Sequence, residues 1–239
     1  SSDRTCEIAK LLGAKVYPVN ERSFAERRNF GAKKAKGKWI LYVDSDERVS
    51  SELKKSIMDV AEVRHSGDEP QRGLQNPDSG QARMTNKFSA YKLQRKNFYF
   101  GNHEWPQIET LERLFKKKDL EGWFGEIHET AKVHGSIGTL EEFLLHYTHR
   151  DLTSMVEKTI QWSQVEAELR YKAHHPKMSW WRFYRVMLTA FYDSYIKQKG
   201  YKAGTAGLVE SMYQSFSMFI TYARLWEMQE GNSKKKGRL

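Results

Sequence analysis

GKWILYVDSDERVS, residues 37–50, contains an apolar run that ends on two aspartates and a glutamate. Residues 39–43 are bulky or β-branched and lie between a glycine and a polar cluster, a pattern that predicts a buried strand. The end of that strand would carry Asp44, Asp46 and Glu47 in one small volume. Carboxylates placed so close together either repel one another or bind a cation.

The segments around this strand predict an alternation of helices and strands. Helices are predicted from Ser23 to Ala35 and from Ser50 onward, and residues 14–19 have the composition of a short strand. Strand, helix and strand in succession form the unit of a parallel α/β sheet. An amphipathic helix follows Ser2–Asp3 and ends at Gly13, and because no strand precedes it we expect an upstream strand to be missing.

The rest of the chain changes from α/β to helical character. Residues 67–86 are polar and rich in Gly and Pro, which predicts a loop, and residues 89–100 have the pattern of a strand. From Asp151 onward the chain is predicted to be mostly helical, with breaks near residues 175–176 and 200–207. We therefore expect an α/β domain over residues 1–150, an aromatic-rich helical region over 151–230 and a basic tail over 231–239.

Composition narrows the classes of protein and of partner. The 239 residues include 40 Lys and Arg against 30 Asp and Glu, and the net charge of +10 favours polyanionic partners without choosing among nucleic acid, anionic lipid and phosphorylated substrates. Cys6 is the one cysteine, which excludes an intrachain disulfide and a thiolate zinc site and favours an intracellular location. No stretch reaches the ~18 consecutive apolar residues typical of a membrane-spanning helix.

The Asp-x-Asp tripeptide suits a hard divalent cation. Open α/β sheets bind ligands at the carboxyl ends of their strands. Mg²⁺ and Mn²⁺ take a few carboxylate oxygens there and complete their shells with phosphates. Taken alone, however, the tripeptide is better explained as a solvated turn, with Asp46 or Glu47 near the cap of the helix that begins at Ser50.

Several segments in a fixed order change this interpretation. They are SSDRTCEIAKLLGAKV (1–16), RRNFGAKKAKGKWILYVDSDE (27–47), RKNFYFGNHEWP (95–106), ERLFKKK (112–118), GWFGEIHETAKVHGSIGTL (122–140) and LLHYTHRDLTSMVEK (144–158). Together they resemble the inverting family-2 glycosyltransferases of the GT-A fold. Their order is similar to that of the bacterial subgroup that glycosylates lipopolysaccharide cores and related envelope glycans.

The resemblance runs from about residue 2 to residue 158, and more loosely to residue 227. It implies a GT-A, Rossmann-like mixed sheet flanked by helices, N-terminally truncated, with a C-terminal helical appendage. It further implies an enzyme that transfers a sugar, as a hexosyltransferase does, from a nucleotide-sugar donor to a glycan or lipid-linked acceptor with inversion. The sequence departs from the family in lacking the first strand, which carries contacts to the nucleotide base, and in an insertion over residues 67–86.

The resemblance also assigns donor-binding roles. Asp46 would bind the Mg²⁺ or Mn²⁺ that bridges the donor diphosphate, and Asp44 would support the metal or the ribose. Arg28 and Asn29 fall where the family's helix faces the nucleotide, although an ordinary surface arginine is the alternative for Arg28. Asp3 would lie near the base or the ribose.

An inverting transfer needs a base that deprotonates the acceptor hydroxyl. The resemblance places this base at Glu129, with Glu126 as its competitor and with His128 orienting the base or binding acceptor or phosphate. If the segment is extended, Glu126 and His128 share one face while Glu129 points to the other, so both glutamates cannot enter the site. The alternative for Glu129 is a solvent-facing residue in a β-turn.

Two further side chains have open assignments. Arg113 precedes two apolar residues and would contact the diphosphate or the acceptor, or instead form an ion pair with Glu112 or Glu109. Trp105 would stack on a sugar face, or be an ordinary core residue.

Three histidines raise the question of a zinc site. His146 and His149 are three residues apart, and His134 lies upstream. Nothing supplies a strong fourth ligand, and the Asp-x-Asp site prefers oxygen-binding metals. We therefore interpret these histidines as structural.

The helical region mixes aromatic residues, Met, Arg and Lys at helical spacing over residues 178–201 and 207–228. Such helices bury aromatic faces at the headgroup level of a membrane while their basic residues meet anionic lipid. We expect Trp180, Trp181, Arg182 and Arg185 to face a membrane and the protein to lie peripherally on the cytoplasmic side of the inner membrane. Packing against the α/β domain or another subunit is the alternative.

Three rival classes fit part of the sequence. A nucleic-acid-binding or membrane-binding protein without catalysis would explain the basic charge, but not the acids at a strand end. A metal-dependent phosphatase or nuclease would require more ligands for a second metal. The third is a folded glycosyltransferase made inactive by truncation.

Overall fold

The computed structural model describes residues 3–19, 23–62, 88–125 and 129–236. The helices are α1 (Thr5–Leu11), α2 (Phe24–Lys34), α3 (Ser51–Glu62), α4 (Leu152–Lys172), α5 (Trp180–Tyr192) and α6 (Gly204–Lys236). The strands are β1 (Trp39–Leu41), β2 (Glu47–Val49), β3 (Ala90–Tyr99), β4 (His103–Glu104), β5 (Glu109–Lys116), β6 (Leu120–Phe124), β7 (Thr130–Val133) and β8 (Ile137–Tyr147). The predicted α/β class with a mixed sheet and a helical C-terminal region is confirmed.

The main sheet has the strand order β1-β5-β3-β8-β2, with β4 paired to β3, and β6 and β7 form a separate pair. β1 pairs antiparallel with β5, and β2 pairs antiparallel with β8 so that Glu47 lies opposite His146. The predicted strand over residues 14–19 is wrong, because these residues have no regular secondary structure. Pro18 lacks the N–H that a strand ladder requires, so the expected parallel strand–helix–strand unit is not formed here.

The chain divides into two compact units. The first contains the described residues of Ser1–Tyr42, Asp59–Lys92 and Glu112–Thr139. The second contains those of Val43–Met58, Leu93–Leu111 and Leu140–Leu239. The boundaries predicted at residues 150 and 230 stay a prediction.

The core of the first unit holds helix α2 against strand β6. Phe115 and Trp123 are buried in this core, and Tyr42 packs edge-on against both rings, at centroid distances of 5.7 and 5.1 Å. The Asn29 side chain donates from Nδ2 to the backbone oxygen of Trp123 at 2.9 Å and accepts from the backbone N–H of the same residue at 2.8 Å. Helix α2 begins beside Ser23, where the sequence predicted a helix start, and the structure adds a capping box between Ser23 and Glu26.

The second unit contains the helical region. Helix α4 starts at the cap residue Asp151. The predicted break near residues 175–176 is confirmed by the gap between α4 and α5, and the one near 200–207 by the start of α6 at Gly204. A π-helical turn (Asp193–Lys197) and a 3₁₀ turn (Gly200–Ala203) then lead into α6. A Cβ atom on Gly207 would lie 1.8 Å from the backbone oxygen of Gly200, so glycine is required at this close approach.

Helix α6 continues to Lys236 and thus extends into the segment predicted as a basic tail. Ala167, Met178 and Leu225 form a buried cluster that joins α4, the segment before α5, and α6. In the described part of the chain, no helix combines the length and the apolarity needed to cross a membrane.

Candidate functional site

The two aspartates lie in a turn between β1 and β2. The backbone N–H of Glu47 donates to the oxygen of Asp44 at 3.0 Å, and the N–H of Tyr147 donates to the oxygen of Asp46 at 2.9 Å. The Asp44 side chain is exposed, whereas that of Asp46 is 25% exposed. The turn therefore presents two carboxylates that differ in how firmly the protein surrounds them.

Glu47 does not share the environment of the aspartates, although the sequence predicted one acidic cluster. It is only 2% exposed. One carboxylate oxygen accepts from the backbone N–H of Asp44 at 2.8 Å, and the other accepts from Arg95 Nη1 at 3.1 Å. An arginine and a backbone N–H thus balance this carboxylate, which has a structural role instead of joining a cation site.

A polar network connects Glu47 back to the same turn. Arg95 also donates through Nη2 to Glu109, and Asn97 Nδ2 donates to Glu109 Oε1 at 3.0 Å. Asn97 Oδ1 lies 2.7 Å from His146 Nδ1. His146 Nε2 lies 3.4 Å from Asp46 Oδ2. The network thus begins at the backbone N–H of Asp44 and ends at the carboxylate of Asp46. All of its members belong to the second unit.

The network indicates which atom of the Asn97–His146 contact donates. Because Asn97 uses its amide N–H toward Glu109, its oxygen must accept, and His146 Nδ1 must carry a proton. The other ring nitrogen, Nε2, faces the Asp46 carboxylate.

The surroundings keep Asp46 ionised. A hydrogen bond from His146 lowers the pKa of Asp46 to about 2, against the opposing effect of burial, and the charges of His146 and Lys158 act in the same direction as that hydrogen bond. Lys158 Nζ lies 3.8 Å from Asp46 Oδ2. At neutral pH the turn therefore offers an anionic oxygen to a cation.

The turn offers few protein ligands to a metal ion. Within the described ranges, no group of three or more His, Cys, Asp or Glu side chains is placed to hold a metal ion. An ionised Asp46 and an exposed Asp44 fit a hard cation that takes one or two carboxylates and completes its shell with the phosphates of a ligand. They do not fit a metal held by protein side chains alone.

The first unit contains a second candidate cluster, formed by an arginine on aromatic rings and a glutamate. Arg28 Nη2 lies 3.2 Å from Glu129 Oε1, and the two side chains are 15% and 14% exposed. The Arg28 guanidinium lies 4.4 Å from the centroid of Trp123 and 5.9 Å from that of Tyr42. Neither alternative from the sequence holds, since Arg28 is not an ordinary surface arginine and Glu129 does not face solvent.

Other predicted site residues have defined surroundings. The Asn29 amide bonds the backbone of Trp123 on both sides, so it positions β6, and its nucleotide contact stays a prediction. Arg113 is 4% exposed, and its charge is buried. Asp3 is exposed and accepts from the backbone N–H of Thr5 at 3.1 Å. Glu126 and His128 lie outside the described residues.

His146 is the site residue whose role the sequence did not predict. The zinc hypothesis treated it with His149, yet His149 contacts Glu210, through both carboxylate oxygens at 3.2 Å. The pairing of Glu47 with His146 in the β2–β8 ladder would have indicated that His146 lies beside the turn. That register joins residues far apart in sequence and cannot be derived from local patterns.

Helix α5 exposes a stripe of large apolar side chains, here called the α5 stripe. Its members recur every four residues, at the spacing of one helix face. They are Trp180, Tyr184, Leu188, Tyr192 and, in the π-helical turn, Ile196. Trp181 is also exposed, and the guanidinium groups of Arg182 and Arg185 lie 4.8 and 5.6 Å from its ring centroid.

An α/β fold with a mixed sheet and an Asp-x-Asp turn after a strand is consistent with the GT-A class of enzymes. Comparison with known families agrees, because the profile of glycosyl transferase family 2 matches residues 1–123, slightly more than half of the chain. The chain belongs to glycosyl transferase family 2 and is a glycosyltransferase.

Relatives from several Rickettsia species match almost the whole chain. An uncharacterized glycosyltransferase of Rickettsia prowazekii is 23% identical over 241 residues, covering 95% of this chain and 75% of the relative. One from Rickettsia bellii is 26% identical, with coverage of 95% and 75%, and one from Rickettsia conorii is 24% identical, with coverage of 99% and 80%. The match thus includes the helical region beyond the family profile.

Proposed function

We propose that this glycosyltransferase moves a hexosyl-type sugar, with inversion, from a nucleotide-sugar donor to a glycan or lipid-linked acceptor of the bacterial envelope, as in lipopolysaccharide-core synthesis. The observation that carries the proposal is the ionised Asp46 carboxylate, fixed by His146 in the Asp-x-Asp turn of a family-2 chain. The acceptor class rests on the order of segments along the chain rather than on the geometry of this turn.

The donor would bind through its diphosphate. Asp46 and Asp44 would hold Mg²⁺ or Mn²⁺, which neutralises the charge of the leaving diphosphate when bound. The polar network keeps Asp46 in place, because His146 is itself fixed by Asn97 and Asn97 by Glu109. A carboxylate held in this way is pre-organised and need not reorient when the donor arrives.

The acceptor would be activated by Glu129. Its carboxylate would take the proton of the acceptor hydroxyl as that oxygen forms a bond to the anomeric carbon and the bond from this carbon to the diphosphate oxygen breaks. A single displacement from the opposite face inverts the anomeric centre. The ion pair with Arg28 supports this role, since it holds the Glu129 carboxylate in one position.

Membrane association would bring the enzyme to a lipid-linked acceptor. The α5 stripe supplies exposed apolar and aromatic surface, and Arg182 and Arg185 supply positive charge on the same helix. These are the components of an interfacial helix that binds anionic lipid. We therefore propose a peripheral location on the cytoplasmic face of the inner membrane.

The test is calorimetric titration of UDP and GDP with and without Mn²⁺. We expect binding that depends on Mn²⁺, is lost in Asp46→Ala and is retained in Asp59→Ala, a matched exposed aspartate on α3. The preferred nucleotide identifies the base of the donor. Binding that is independent of both Mn²⁺ and Asp46 would instead favour a basic protein that binds nucleic acid or anionic membranes without catalysis.

A donor site that binds without turnover is a separate result. An inactive truncated glycosyltransferase would bind the nucleotide with Mn²⁺ yet fail to hydrolyse or transfer the sugar. Hydrolysis or transfer of the sugar by this chain would contradict that alternative.

A further inference from the structure

The second unit contains a cavity of about 600 Å³ that none of the predicted donor-site residues lines. It is bounded by the ends of β3 and β5, by α5 with the π-helical turn that follows it, and by α6. The volume falls within the ~300–1,000 Å³ typical of pockets that bind small organic ligands.

The lining combines aromatic rings with hydrogen-bonding side chains. Tyr99, Trp105 and Tyr222 supply the rings, while Gln198 and Gln214 supply amides. Aromatic faces cover the C–H faces of sugar rings, and amides donate to and accept from hydroxyl groups. This combination suits a ligand that has both apolar faces and many hydroxyls.

The acidic groups of the cavity already have basic or amide partners. Glu109 accepts from Arg95 and Asn97, Glu210 contacts His149 and accepts from Gln214 at 2.7 Å, and Asp193 pairs with Lys197 at 2.6 Å. Paired carboxylates still accept hydrogen bonds from hydroxyl groups, because each oxygen has two lone pairs. An anionic ligand would find Arg185 as the cationic residue of the lining, because Arg95 and Lys197 are already paired with the carboxylates of the cavity.

A buried donor in the wall lacks an acceptor. Trp105 is 4% exposed, and its indole N–H is buried without a hydrogen-bond partner in the part of the chain that the structure describes. Buried polar groups in native proteins are almost always satisfied, so an unsatisfied donor in a cavity wall calls for a partner. An oxygen atom of a bound ligand would supply one.

Glu109 links the cavity to the Asp-x-Asp turn. It lines the cavity and accepts from Asn97, which in turn holds His146 beside Asp46. All these residues belong to the second unit. A ligand that contacts Glu109 would therefore be connected through Glu109 and Asn97 to His146. His146 in turn contacts the carboxylate of Asp46, the proposed metal ligand.

We propose that this cavity binds a neutral sugar unit of the glycan acceptor. Uncharged hexose-like rings fit the aromatic and amide lining, whereas phosphorylated sugars and uronic acids do not. The assignment as the acceptor site rests on the proposed function, but the preference for neutral sugars follows from the lining alone.

The experiment is saturation-transfer NMR on the full chain with UDP and Mn²⁺ present and absent. The probes are the methyl glycosides of glucose, galactose and mannose, compared with glucose 6-phosphate and glucuronic acid. We expect signal from at least one neutral glycoside, about fivefold weaker or no signal from the charged sugars, and about fivefold weaker binding in Gln198→Ala and in Gln214→Ala. Gln161→Ala, an exposed glutamine on α4 away from the lining, is the matched control and should bind as the wild type does.

Titration of Mn²⁺ with UDP and GDP on the same samples separates this inference from the proposed function. Nucleotide binding without any sugar signal, equal signals from charged sugars, or sugar binding that both cavity variants retain would overturn the inference while leaving the donor site intact. Sugar binding that the cavity variants lose, in a chain that binds no nucleotide, would support the cavity and contradict the donor site.

Discussion

His146 pairs with Glu47 in the β2–β8 ladder, yet its ring reaches the carboxylate of the neighbouring residue, with Nε2 3.4 Å from Asp46 Oδ2. The opposite nitrogen of the ring is held by Asn97. This relationship gives Asp46 both a fixed position and a low pKa. The properties that make Asp46 a metal ligand candidate therefore come from residues that are distant in sequence.

Replacing His146 should weaken the donor site without removing any proposed ligand. We expect His146→Ala to raise the dissociation constant for Mn²⁺ and nucleotide by about tenfold or more, as loss of a residue that orients a metal ligand commonly does. Calorimetric titration measures it. His134→Ala, whose side chain is 77% exposed in the wild type, is the control, and equal affinities in the two variants would contradict the role of His146.

Replacing Glu47 should destabilise the protein. Glu47→Gln removes the charge that faces Arg95 and leaves that arginine, only 16% exposed, with Glu109 as its remaining carboxylate. We expect a loss of about 2–3 kcal/mol in the free energy of unfolding, somewhat less than for a buried charge that loses every partner. Urea denaturation at pH 7 measures it. Glu52→Gln, at an exposed position on α3, should change stability by less than about 0.5 kcal/mol, and similar losses in both would refute the structural role.

Replacing Glu129 should separate catalysis from donor binding. We expect Glu129→Gln to slow hydrolysis of the nucleotide sugar by about 100-fold or more, because water replaces the acceptor in that reaction and also needs a base. Its affinity for Mn²⁺ and nucleotide should stay within about twofold of the wild type. Release of the nucleoside diphosphate provides the assay, and Glu121→Gln, 44% exposed, is the control. A wild-type rate in Glu129→Gln would assign the base elsewhere.

Asp46 should contribute stability that disappears in acid. Its pKa is lowered from 3.8 to about 2, so the contribution is full above about pH 4 and is lost as pH falls toward 2. In metal-free buffer we expect the wild type to exceed Asp46→Asn by about 2 kcal/mol at pH 6, with the difference shrinking below pH 4. Chemical denaturation across this range provides the measurement. A difference that does not vary with pH would show that the charge of Asp46 is not responsible.

The α5 stripe should determine binding to anionic vesicles. We expect Trp180→Ser with Leu188→Ser to reduce partitioning onto phosphatidylglycerol vesicles by about tenfold, since both side chains are largely exposed and would insert between headgroups. Sedimentation of vesicles with bound protein measures it. The matched control is Trp162→Ser with Ile160→Ser, two exposed apolar positions on α4. Equal losses of vesicle partitioning in the two double variants would indicate nonspecific hydrophobic binding rather than a membrane-facing helix.

Local signals predicted much of the fold. The helix starts near Ser23 and Asp151 and the helix end before Gly13 lie where the sequence placed them, because each depends on residues within one turn of the helix. The strand predicted over residues 14–19 failed because Pro18 weakens pairing and because strands are defined by partners elsewhere in the chain.

The contacts of the candidate site residues could not be predicted from the sequence. Asp46, Arg28 and Glu129 were named from the family resemblance, and their roles stay predictions. The ion pair between Arg28 and Glu129 required the antiparallel pairing of β6 and β7 and the packing of α2. The different environment of Glu47 could likewise not be predicted from the sequence, because it depends on an ion pair with Arg95 from another strand. Side chains that meet across strands are set by register, which local composition does not specify.

The polar network that leaves the turn at Asp44 and returns at Asp46 has an evolutionary consequence. Each member satisfies its neighbour, so changing one side chain leaves the next with an unmet hydrogen bond or charge. Substitutions at these positions are therefore expected to be correlated, so that related proteins either keep all members of the network or replace them together. In a homologue that keeps Asp46 but has replaced Arg95, Asn97 and His146 together, we expect other side chains to form the contacts that hold the acidic turn.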